Sequence, residues 1–147
     1  MAHEPVRFKH PAANPGLAKD TPQIDLKVIF TDLPRTAAAL AAARAMARGL
    51  SAHITVMAAQ VVPYPLPLGA PDVPVQFTEH MLNSIVVEDT TVEIYLCRDR
   101  NETIRRALPP DSLVIVGARK WRWWPSWERS LARVLQQDGR RVLVVSV

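Results

Sequence analysis

Cysteine is nearly absent: Cys97 is the only one in 147 residues. That excludes an intramolecular disulfide and a thiolate zinc site, and a reduced, cytoplasmic setting suits such a chain. No lysine or histidine adjoins Cys97 to lower its pKa, so it reads as a small buried hydrophobe rather than a nucleophile. His3, His10, His53 and His80 are dispersed and form no metal-ligand spacing. No apolar run approaches ~18 residues, so no segment reads as a spanning helix. Met1 to Asp20 carries charges and prolines where a secretory signal needs an apolar centre. A Gly-x-Ser-x-Gly elbow, a complete phosphate loop and a paired-carboxylate arrangement are all missing. The chain therefore reads as non-catalytic, with no metal.

What is present fits one domain. Hydrophobic residues make up 48% and charged residues 22%, which excludes a disordered chain. A chain of 16.4 kDa buries enough surface to fold without staples. The net charge is +4, unevenly spread. Residues 1–97 hold 7 basic and 9 acidic side chains, a net of −2, whereas 98–147 hold 11 and 5, a net of +6. A basic last third suits nucleic acid, phosphates, a membrane surface or an acidic partner. A merely solvated arginine surface has the same composition.

Residues 1–22, with Pro5, Pro11, Pro15 and Pro22, show neither a 2.0 nor a 3.6 period and read as an irregular arm. The domain proper is expected over 23–147. Leu26–Phe30 reads as a buried strand. It leads into an alanine-dense helix over 35–50, with Asp32 at the cap, Pro34 in the first turn and Gly49 near its end. His53–Ala58 reads as a second strand, followed by a proline-dense extended loop from Val61 to Pro74. A helix is predicted over 75–87, a strand over 92–96, and a short helix over 101–108 with Asn101 as cap. A strand over 113–117, a helix over 126–137 and a final strand over 142–147 complete the order. Strands apolar on both faces need helices on both sides, which predicts an α/β fold with an open parallel sheet. Ligands on such a sheet bind beyond the carboxyl ends of the strands. Here those are the loops over 32–35 and 117–126.

Three segments of this pattern resemble the universal stress protein family over about residues 24–147. The first strand ends in Thr31-Asp32. Asn101-Glu102-Thr103-Ile104 stands where the family has a short helix after its third strand. Leu113-Val114-Ile115-Val116-Gly117, a helix, and Arg141-Val142-Leu143-Val144-Val145 match its strand–glycine–helix–strand ending. The resemblance implies a five-stranded parallel sheet in order 3-2-1-4-5, of the adenine nucleotide alpha hydrolase-like type. It also implies homodimers through the last strand, here Val142, Val144 and Val145, a reading in keeping with an exposed apolar edge that needs covering.

ATP-binding members carry Gly-x-x-Gly, nine residues, then Gly and Ser or Thr, because glycines let backbone N–H groups approach phosphates at a helix N-terminus. Only Gly117 stands here. The second glycine falls on Lys120. The third falls on Ser130 counted forward, or on Glu128 counted back from Val134-Leu135. Asp32 matches the family aspartate that contacts the nucleoside. The expectation is a regulatory or interaction protein without strong ATP binding and without a cofactor. The alternative is an adenine-nucleotide-binding protein or slow ATPase using Asp32, Gly117, Arg119, Lys120 and Ser130, with basic side chains holding phosphate.

Four tryptophans lie within seven residues. Trp121, Trp123 and Trp124, with Arg119, Lys120 and Arg122, form a basic loop, whereas Trp127 belongs to an apolar helix stripe. Tryptophan and arginine favour protein contacts, and the same composition suits a membrane interface. Stacking on nucleic acid is the lesser reading. Collapse of the indoles into a vacated nucleotide cleft, or self-association, would explain them equally. The proline-dense loop with Tyr64 reads as an extended connection, or as a polyproline recognition segment.

Overall fold

The computed structural model describes residues 24–64, 68, 80, 82–85, 90–120 and 126–147, together with the backbone of 6–11. Its strands are β1 (Val6–Pro11), β2 (Ile24–Ile29), β3 (Ala52–Val61), β4 (Thr90–Cys97), β5 (Leu113–Ala118) and β6 (Arg141–Ser146). Its helices are α1 (Leu33–Ala47), α2 (Arg100–Ala107) and α3 (Trp127–Gln137). The sheet order is β1-β4-β3-β2-β5-β6. The pairs β2·β3, β3·β4, β2·β5 and β5·β6 are parallel. The five parallel strands thus follow the expected 3-2-1-4-5 order.

The N-terminal arm departs from its irregular reading. Val6–Pro11 pairs antiparallel with β4, with Val6 opposite Leu96 and Pro11 opposite Thr91. A proline ends this strand, as a sheet edge tolerates. The weak periodicity of the arm follows from that edge position, because an added strand can pair through its backbone without an apolar pattern of its own.

The strands β2, β4 and β5 each feed a helix that folds back on the sheet. In α1, Asp32 is the N-cap, its carboxylate accepting from Arg35 N at 2.9 Å, and Pro34 lies in the first turn. Gly49 follows at φ 74, a conformation that only glycine adopts without cost. The cap of α2 is Asp99, which accepts from Glu102 N at 3.0 Å, rather than Asn101. Either residue type can cap; the helix begins one residue earlier than the sequence suggests, and so Asn101 lies inside it. Ser126 caps α3, and Gly139 at φ 84 follows it. Of the helix read over 75–87, His80 and 82–85 are helical and the remainder lies outside the described residues.

Two cores result. Leu26, Val28, Leu40, Ala43, Val56, Ile94 and Ile115 pack on the α1 face. Ile29, Met57, Ile104, Val116, Leu131 and Leu135 pack beneath α2 and α3. The second face is not apolar throughout. Lys27, Thr55, Thr91 and Glu93 are also buried, and Tyr95 Oη donates to Glu93 Oε2 at 2.8 Å. His53 Nε2 lies 2.9 Å from Thr91 Oγ1. No helix among the described residues is long and apolar enough to cross a membrane.

Candidate functional site

The parallel strand order reverses between β2 and β5, and the chain leaves the sheet there by the two loops singled out in the sequence. Asp32 is held by its cap bond and by Arg35, whose Nε lies 3.0 Å from Asp32 Oδ2. Arg35 also reaches across to Glu128 on α3, its Nη1 donating to Glu128 Oε1. Glu128 is 3% exposed and Arg35 13%. An arginine between two carboxylates therefore ties the start of α1 to the start of α3.

Gly117 belongs to the same place. A Cβ added there would lie 2.8 Å from the Arg35 carbonyl carbon and overlap its oxygen. The glycine lets the first turn of α1 press onto β5, which the alanine-rich composition of that helix also permits. Gly117 also pairs with Val145 of β6.

The other residues read as nucleotide contacts are solvent-exposed. Ser130 is exposed on α3. Arg119 and Lys120 are exposed just beyond β5. Their backbones secure neighbours: Lys120 N donates to Val147 O at 3.0 Å, and Arg119 O accepts from Arg129 Nη2 at 2.6 Å. Trp121, Arg122, Trp123 and Trp124 lie outside the described residues. At the far edge, Val142 packs on the α3 core and Val145 on the α1 core. Leu143, 39% exposed, and Val147 face outward.

A cleft of about 310 Å³ opens at the carboxyl ends of β2 and β3. Phe30, Thr31, Ala58–Val61, Arg100 and Trp127 line it. The Arg100 guanidinium carbon stands 4.3 Å from the centre of the Trp127 ring, within cation–π range. Thr31 Oγ1, Arg100 Nε and Glu128 Oε2 are buried without a hydrogen-bond partner.

The sequence assigned no site role of their own to Arg35, Arg100 or Thr31. Asp32 and Arg35, three apart at a helix start, carry a local signal of their ion pair. Arg100 and Trp127 meet only through the fold. Cys97 is buried at the end of β4 with Sγ 3.5 Å from Gln60 O. Burial pushes its thiol pKa up, against a smaller lowering by a hydrogen bond with Thr103, so it is a poor nucleophile. No group of three or more His, Cys, Asp or Glu among the described residues is arranged to hold a metal.

Comparison with known proteins gives neither a matching family model nor a matching curated protein.

Proposed function

We propose that this chain is a non-catalytic regulatory or interaction protein of the universal stress protein type, cytoplasmic, in which the triphosphate-binding half of the nucleotide site has been replaced. The observation that supports this reading is the Asp32–Arg35–Glu128 network packed against Gly117. A buried carboxylate stands at the start of the helix where a phosphate loop would need glycine and a hydroxyl. The aspartate that would contact a nucleoside is spent on its own helix cap and on Arg35.

Function then rests on surfaces. The chain dimerises through the β6 edge, where Leu143 and Val147 are exposed. Pairing there would hide unpaired backbone and apolar side chains together. The basic segment from Arg119, including Trp121, Arg122, Trp123 and Trp124, is the contact for a protein partner or a membrane surface. Arg119 and Lys120 are both solvent-exposed.

The test is chemical. Protein purified without added nucleotide should show no excess absorbance at 260 nm and should release no phosphate from ATP above the blank. Co-purified adenine nucleotide, or phosphate release that falls on substitution of Lys120, would instead favour the slow-ATPase reading.

A further inference from the structure

The cleft at the carboxyl edge has a chemistry that a surface-contact protein does not use. Among the described residues that line it there is one formal charge, the Arg100 guanidinium, and no carboxylate. Arg100 and Trp127 are the first residues of α2 and α3. Two helix N-termini therefore stand at its wall, each adding partial positive charge. Of the nearby acids, Asp32 and Glu128 hold Arg35 and Asp99 caps α2; Glu128 Oε2 is left without a partner, but Glu128 is not among the lining residues. Arg100 is steadied by the Trp127 ring, yet its Nε is buried with no acceptor, and the Thr31 hydroxyl is buried with no partner. Native proteins rarely leave such groups orphaned, because a buried polar atom without a partner forfeits its hydration. Apart from Gln60, the rest of the described wall is apolar and aromatic: Phe30, Ala58, Ala59, Val61 and the Trp127 indole.

The geometry points to a binding site for a small planar carboxylate. The carboxylate would accept from Arg100 Nε and from the Thr31 hydroxyl, and the ring would lie along the Phe30 and alanine wall. A charge-assisted bond of this kind is about twice as strong as a neutral one. The size agrees: about 310 Å³ lies at the lower end of the roughly 300–1,000 Å³ range of ligand pockets. It suits a one- or two-ring molecule. The site goes beyond the proposed function, which requires no ligand.

Calorimetric titration of indole-3-carboxylate and of its neutral amide, indole-3-carboxamide, into the full chain tests the site, with ATP titrated in parallel. The acid should bind at least tenfold more tightly than the amide. Arg100→Gln should abolish that preference. Thr31→Val, which removes only an unpartnered hydroxyl, should weaken the acid severalfold with no fall in melting temperature. Equal binding of acid and amide, a preference that survives Arg100→Gln, or no heat from the acid up to millimolar concentration would overturn the site. If the acid fails and ATP also gives no heat, the carboxylate site falls and the proposed function stands. ATP that displaces the acid at micromolar concentration would overturn the proposed function and leave the carboxylate site standing as part of a nucleotide site.

Discussion

Arg35, in the first turn of α1, is joined to the buried carboxylate of Glu128 on α3, 93 positions away in the chain. The pair closes the switch-point edge with protein charge where a phosphate-binding fold would leave backbone donors free. Removing one member of a buried pair strands the other. Glu128→Ala should therefore destabilise the fold by roughly 3 kcal/mol, the lower end of the range for buried pairs, because Arg35 keeps Asp32 and is 13% exposed. The double variant Arg35→Met, Glu128→Leu should recover most of that loss. Urea denaturation of the wild type, Glu128→Ala and the double variant measures both effects.

Gly117 is fixed by a neighbour rather than by its own dihedral angles. Gly117→Ala places a methyl group against the Arg35 backbone, which cannot rotate away as a side chain would. The expected loss is about 1–3 kcal/mol, the usual magnitude for overpacking, visible as a lower denaturation midpoint. An unchanged midpoint would mean that α1 shifts freely on β5.

Much of this fold is legible in the sequence, and the limits have physical causes. The Asp32 cap, Pro34 in the first turn and the positive-φ residues Gly49 and Gly139 mark helix ends locally, and the apolar strands announce a sheet covered on both faces. Val6–Pro11 was illegible because its pairing with β4 is an edge addition. Lys27, Thr55, Thr91 and Glu93 look like solvent-facing strand positions and are buried. The site was half legible. Asp32 was read both as a helix cap and as a nucleotide contact, and Gly117 as a nucleotide contact; the close packing that Gly117 permits depends on the Arg35 backbone. Arg100 meets Trp127 only through the tertiary fold.

Asp138 follows the last residue of α3, and Arg105 Nε donates to its Oδ2 at 2.8 Å. That hydrogen bond, with the attraction of Arg105 and Arg140, holds the Asp138 carboxyl below its ordinary pKa. A carboxylate with a depressed folded-state pKa stabilises the fold above its unfolded-state pKa, and the stabilisation is lost as pH falls through the folded value. Asp138→Asn should therefore melt lower than wild type at pH 7. The gap should close progressively below about pH 4, where aspartate begins to protonate in the unfolded chain. Thermal melts across pH 2.5–7 (roughly the titration range of carboxylates) check this. A gap that widened in acid would contradict it.

Cys97 should be silent in the native protein. It is 2% exposed, and burial raises its pKa, so little thiolate forms near neutral pH. Iodoacetamide at pH 7.5 should label it only after denaturation, as mass spectrometry would show. Rapid native labelling would place β4's end in a locally open state.

The central claim is that the triphosphate half of the switch-point site is closed by Arg35, Glu128 and Gly117. Calorimetric titration of ATP, with and without magnesium, into the purified chain at moderate salt tests it most directly. The account predicts no heat of binding up to millimolar ATP. Micromolar binding would contradict it, and would mean that basic side chains hold the phosphates in place of the missing glycines.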